Sequence, residues 1–155
     1  SQFPDYQAGQ YIALRRDDCK LTRKRGVASD GKPIYEAELD PWGRQTIGSV
    51  THSYSIASAP AETAEHGWLE FIVALDYGVH GLPGRLSEAL YGMSPETSCE
   101  VTYFDRIAGN FTLSARAEES ESVLFVGTGT GVAPFVSMVK ELHALGLNVE
   151  LTRRE

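Results

Sequence analysis

His52-Ser53-Tyr54-Ser55-Ile56-Ala57-Ser58 (HSYSIAS) is the stretch on which the reading of this 155-residue chain turns. In an extended strand alternate side chains share a face, so His52 and Tyr54 point one way and Ser53 and Ser55 the other. A Tyr-Ser step at a strand end offers a flat ring and a hydroxyl to one ligand, although YSIAS alone is equally an ordinary amphipathic strand. Outward from it the chain reads as short β-rich segments broken by Gly and Pro. Tyr11–Arg15, Ile34–Leu39, His52–Ile56, Trp68–Ala74 and Glu100–Tyr103 are the strand candidates. Short strands with turn signals between them suggest an antiparallel barrel or sandwich. Gly84–Leu90 (GRLSEAL) reads as one short helix within this region.

The character changes near Ala115, where the pattern becomes β-α-β. Val123–Val126 (VLFV) is a continuous apolar run, as expected of a parallel strand buried on both faces. A glycine-rich turn follows. Ala133–Leu145 then reads as a helix with Phe135, Val139 and Leu142 on one face and Gly146 as its C-terminal stop, and Asn148–Thr152 begins another strand. The fold class expected is therefore mixed: an antiparallel β domain over residues 1–115, then the beginning of a parallel α/β domain over residues 116–155. One strand, one helix and one strand do not cover both faces of a parallel sheet, so the second domain reads as incomplete. The alternative is an appendage packed on the β domain.

Composition narrows the function classes. Hydrophobic residues make up 42% and charged residues 23%, ordinary values for a globular chain. A formal net charge of −7 argues against nonspecific nucleic-acid binding, which depends on neutralising phosphates with cations. No apolar run is long enough to span a membrane. Cys19 and Cys99 stand alone, which suits a reducing compartment, and the expected location is the cytoplasm. The histidines are scattered, so no metal site is expected. Arg15, Arg16, Lys20, Arg23, Lys24 and Arg25 make the start of the polar stretch Asp17–Gln45 and its approach basic. That stretch is a loop or a hairpin excursion, and its charge is either a solvated face or a docking patch for an acidic partner.

Three segments carry chemistry. A flavin needs an aromatic surface against its ring system, a hydrogen-bond partner near its redox-active edge and donors for its phosphates. HSYSIAS offers the first two. Gly84-Arg85-Leu86-Ser87 offers the third, because a helix start exposes N–H groups, Ser87 adds a hydroxyl and Arg85 a cation. Taken alone it is also a plain helix N-terminus. The third segment is Gly127-Thr128-Gly129-Thr130-Gly131-Val132-Ala133-Pro134-Phe135, placed after a strand and before a helix, where α/β sheets hold phosphates. It is neither GxGxxG nor GxxxxGK[ST], so neither the ordinary Rossmann fingerprint nor a P-loop is supported, and taken alone it is also a tight structural turn. A hydrolase finds no support, since neither G-x-S-x-G nor H-E-x-x-H occurs.

The order YSIAS, GRLS, GTGTGVAPF resembles that of the ferredoxin–NADP reductase superfamily, closest to its bacterial reductases and oxygenase reductase components. Gly9-Gln10-Tyr11 and Gly109-Asn110-Phe111-Thr112-Leu113 match further steps of the pattern, and the likeness runs from about Phe3 to Thr152. The resemblance implies an FAD-binding Greek-key β-barrel followed by an NAD(P)-binding α/β domain. It implies electron transfer between NAD(P)H and a redox protein such as ferredoxin or flavodoxin, or another iron–sulfur or flavin protein. Carried over by position, Tyr54 stacks on the isoalloxazine and Ser55 bonds near its N5, Ile56 belongs to the same flavin-binding segment, and His52 takes the position against the flavin phosphate. Arg85, Leu86 and Ser87 hold the pyrophosphate. Gly127, Thr128, Gly129, Thr130 and Gly131 cradle the nicotinamide nucleotide, with Pro134 fixing the turn.

The chain departs from this pattern in several places. His52 stands where the family usually has a phosphate-binding Arg, and a neutral His brings one donor and less charge. The excursion between Tyr11 and His52 is longer than usual. The family's first strands before Gly9 and most of its second domain have no counterpart, so the expectation is a chain truncated at both ends. Arg153 and Arg154 lean the cofactor towards NADP rather than NAD. The alternative reading is a non-catalytic, reductase-like module that binds flavin or a partner without turnover.

Overall fold

A computed structural model describes residues 3–75, 82, 84–96, 99–118, 120 and 122–147. In chain order the elements are β1 (Tyr11–Lys20), β2 (Thr22–Val27), β3 (Pro33–Ala37), β4 (Ile47–Ser55), α1 (Pro60–His66), α2 (Arg85–Tyr91), β5 (Thr102–Tyr103), α3 (Leu113–Ala117) and α4 (Ala133–Ala144). A single 3-10 turn, Gly129–Val132, leads into α4. Strands and helices are thus mixed. One sheet has the order β4-β1-β5, and β2 and β3 form a second. The pairings β1–β5 and β2–β3 are antiparallel, and no closed barrel is found among the described residues.

The chain forms two compact units, each discontinuous in sequence. One contains residues 1–13, 53–72 and 104–155, and the other 14–52 and 73–103. In the first, Ala8, Ile12, Ile56, Ala57, Ala59, Ala133 and Met138 are buried. Phe104 N–H donates to the Ala13 carbonyl, and Tyr11 and Ala108 exchange both backbone bonds. In the second, Leu14, Arg16, Cys19, Val50, Leu86 and Ser87 are buried. The alternation Leu14, Arg16 puts a guanidinium on the inward face of β1. It is satisfied there by Asp18 and by the Glu100 carbonyl, 2.9 Å from Nη1.

The polar excursion resolves into the β2–β3 hairpin, with Thr22 opposite Ala37 and a register shift between Lys24 and Gly26. Its basic residues are largely neutralised within the same unit. Arg15 pairs with Asp17, Arg16 with Asp18, Lys20 with Glu88, and Arg23 and Arg25 with Glu36. Exposed pairs of this kind add little stability, but they cancel the field that an acidic partner would feel. The solvated-face reading of this segment is therefore the one the structure favours.

Several expected elements change. Val123–Val126 is not a strand: it pairs with nothing among the described residues, and Leu124 and Val126 are 87% and 77% exposed. A fully buried parallel strand needs a hydrogen-bonded neighbour and a covering layer on each face. Within its unit the run has one ring contact, Phe125 against Phe135 of α4 at 5.2 Å between centroids. Trp68–Ala74 shrinks to one isolated bridge, Phe71 opposite Ile56, and Glu100–Tyr103 to the two residues of β5. The strand expected at Asn148–Thr152, with Arg153 and Arg154, lies outside the described residues. The helix expected from Ala133 is present and closes as foreseen at Gly146, whose φ is +76°. There Gly146 N–H bonds to the His143 carbonyl and Leu147 N–H to that of Leu142. Its buried stripe is Ala133, Ser137 and Met138, whereas Phe135, Val139 and Leu142 are only half-buried.

Candidate functional site

Tyr54 and Ser55 end β4, and the residues after them are held one by one. Ile56 N–H donates to the Gln10 carbonyl at 3.0 Å, and Ala57 N–H to that of Glu70 at 2.8 Å. Ile56, Ala57 and Ser58 are fully buried. Tyr54 and Ser55 are half-buried. The Tyr54 and Phe71 rings meet in a T-shaped contact, with centroids 6.4 Å apart and planes 73° apart. The Ile56 side chain belongs to the core, so a ligand would meet this residue through its main chain.

Beneath the segment lies a hydroxyl network that the sequence reading missed. The Ser58 carbonyl accepts from Tyr6 Oη at 3.0 Å and from Ser137 Oγ at 2.6 Å. Tyr6 Oη also meets Ser58 Oγ at 3.1 Å and Thr63 Oγ1 at 2.8 Å, and Ser58 Oγ accepts from Glu70 N–H. Among the described residues no buried side-chain polar atom lacks a partner. Around this network α1 and α4 are joined by Lys140, whose ammonium lies 3.0 Å from Glu62 and 2.6 Å from Glu70 and over the Trp68 ring. Burial works against the charge of Glu62, but the Ala59 N–H and Lys140 more than offset it and hold its carboxyl below the ordinary value.

Burial raises the Tyr6 phenol above its ordinary value of 10.0, against the smaller opposing effect of Ser58 and Thr63. The folded protein therefore holds this proton more tightly than the unfolded chain. Its contribution is complete below the unfolded value and is lost as pH rises through the folded one. Tyr6→Phe is expected to cost about 1–2 kcal/mol at neutral pH through the lost hydrogen bonds. It should also flatten the alkaline fall in stability. Urea unfolding of both proteins at pH 7.5 and above pH 10 checks both effects, and an unchanged alkaline slope would contradict the second.

The glycine-rich turn opens α4 as expected, although no strand precedes it. Gly129 has φ +56°, the left-handed region that glycine enters without strain. A Cβ on Gly129 or on Gly131 would meet nothing within 4 Å, so this side of the turn is open to close approach. Gly127 differs, because its Cβ would sit 3.0 Å from both Phe135 and Val132 and its smallness serves packing. Thr128, Thr130 and Gly131 are exposed. Gly131 N–H is engaged by the Thr128 carbonyl at 3.1 Å, and Pro134 sits in the first turn of α4, where its missing donor costs nothing.

Tyr54, Ser55, Ile56 and residues 127–134 belong to the first unit, whereas His52, Arg85, Leu86 and Ser87 belong to the second. His52 is exposed. Gly84 caps α2, a helix of seven residues, and Leu86 and Ser87 are buried. Ser87 Oγ donates to the Gly84 carbonyl at 3.2 Å, so its hydroxyl serves the helix start. The first unit also carries an open groove of about 580 Å³ with Tyr6, Gln7, Gln10, Asn110 and Ser114 in its lining. None of the residues that the sequence assigns to a cofactor lines it. No helix among the described residues is long and apolar enough to cross a membrane. No model of a known protein family matches the chain, and no curated protein matches it.

Proposed function

We propose that the protein is an FAD-dependent oxidoreductase that moves electrons between NAD(P)H and an iron–sulfur or flavin protein, within the Greek-key barrel and α/β arrangement its sequence resembles. The observation that carries this reading is the presence in one compact unit of the Tyr54-Ser55 step and a nucleotide-type glycine turn. The residues fit the groups they would hold. The open side of Gly129 and Gly131 admits a phosphate or ribose to the main chain, where a Cβ would intrude. Tyr54 supplies a ring in T-shaped contact with Phe71, and Ser55 the hydroxyl of the next residue.

In this reading Tyr54 orients the flavin ring and Ser55 donates to its N5 edge. Gly127–Gly131 and Pro134 hold the nicotinamide nucleotide. When bound, FAD supplies the hydride acceptance and the onward release of electrons.

The test is an absorbance spectrum of the purified protein with FAD, before and after NADPH. A yellow protein that bleaches supports the reading, and a colourless one that ignores added FAD overturns it. Tyr54→Ala should weaken FAD binding about ten-fold or more, as loss of an aromatic stacking surface implies, while Tyr54→Phe retains most of it. A second reading, a reductase-like module without turnover, is favoured by the Val123–Val126 run, which forms no strand beside the turn among the described residues. NADPH oxidation with ferricyanide as acceptor rules that reading out.

A further inference from the structure

We infer that Ser137 is a positioning residue that links the nucleotide turn to the flavin-facing strand end, so that occupation of one tightens the other. The inference rests on the flavin reading above and deepens it.

The turn and α4 form one continuous piece of backbone. Gly131 N–H bonds back to the Thr128 carbonyl, Ala133 N–H bonds to that of Thr130, and the 3-10 turn runs into α4 without a break. One turn further on, Ser137 lies on the inward stripe between Ala133 and Met138. It has no exposed surface. Its hydroxyl reaches the Ser58 carbonyl at 2.6 Å, and Ser58 is likewise fully buried.

That carbonyl is the third consecutive anchor of the segment following Tyr54-Ser55. Ile56 is tied to Gln10, and Ala57 to Glu70, whose carboxylate meets α4 at Lys140, about one turn beyond Ser137. Ser58 is tied to Tyr6 on one side and to α4 on the other. The Ser137 bond is therefore the short mechanical path from the glycine turn to the Tyr54 segment. A ligand that orders the turn orders the start of α4, and through Ser137 it restricts Ser58. Ordering already achieved by one ligand is not lost again when the second binds, which produces cooperativity. By linkage, FAD and nucleotide must then raise each other's affinity by the same factor.

The experiment measures the FAD dissociation constant from flavin fluorescence, with and without saturating NADP+, in the full 155-residue chain. The wild type should bind FAD about five-fold more tightly with NADP+ present, at the lower end of ordinary couplings. Ser137→Ala should bring that ratio close to one while FAD affinity without nucleotide changes by less than about two-fold. Tyr6→Phe removes the other donor to the same carbonyl, and Lys140→Met cuts the other tie of α4. Both should lower stability and keep the coupling. A full ratio in Ser137→Ala, or equal loss in all three variants, overturns the inference alone. If the wild type binds no FAD, the flavin reading falls and this inference with it. If Ser137→Ala does not fold, hydrogen–deuterium exchange of the wild type decides. Added NADP+ should then slow exchange at Ile56–Ser58, and unchanged exchange overturns the inference.

Discussion

Gly9→Ala is expected to leave little folded protein. A Cβ at Gly9 would lie 1.9 Å from the Phe111 carbonyl oxygen and 2.4 Å from Met138 Cε, and the backbone there has φ +99°. The methionine end could move aside, but the main-chain oxygen cannot without shifting the Gly109–Thr112 segment. That segment is itself fixed, because Gln10 Nε2 donates to the Gly109 carbonyl and Ala108 pairs with Tyr11. Strained backbone and a backbone clash together place the loss at about 4 kcal/mol or more, the range reserved for such mechanisms. Gly129→Ala is the control. It also has positive φ but meets nothing within 4 Å, so its cost should stay near the roughly 1–2 kcal/mol of the left-handed conformation alone. Urea unfolding of the two variants reads the difference directly. Equal stability would show that the packing around Gly9 is not as tight as described.

Leu86→Ala should produce the second large loss, about 3 kcal/mol, because the side chain is 1% exposed and its removal leaves a cavity. Ser87→Ala, one residue on, should cost less than Leu86→Ala, since the small side chain that bonds to the Gly84 carbonyl at the helix start leaves little cavity when it is cut back. The pair separates two roles in a segment that the sequence presents as one phosphate motif. Leu86 is the anchor that fixes α2 in its unit. Whatever Leu86 and Ser87 offer a phosphate comes from the main chain. Denaturation midpoints give the ranking, and a Ser87 variant as unstable as the Leu86 one would overturn it.

Much of this was legible from local signals. Gly146 ended α4 because only glycine takes positive φ there without strain, and Pro134 marked its first turn. The hairpin within Thr22–Ala37 was one of the two readings of the polar excursion. Helix α1 carries equally local signals. Pro60 stands at its start, the Glu62 carboxylate accepts from Ala59 N–H, and Gly67 closes it with φ +72°. The missing cue was a hydrophobic stripe, since AETAEH shows none and Thr63 is the buried residue of this helix. Residues Tyr6, Ser137 and Lys140 were not legible as site neighbours. Each bonds to a partner more than fifty residues away, and no spacing rule reaches that far.

By itself the sequence determined the alternation of β-rich and helical segments, the glycine turn before α4 and the Tyr54-Ser55 step, because these follow from backbone preferences acting within a few residues. Tertiary structure alone decided the rest. It left Val123–Val126 without a strand partner among the described residues, since an apolar run becomes a strand only when a neighbour supplies the ladder. It turned the basic excursion into a set of neutralised ion pairs. It also brought Ser137, on the inward face of α4, to the Ser58 carbonyl, 79 residues away in sequence, which accepts its hydroxyl as well as that of Tyr6.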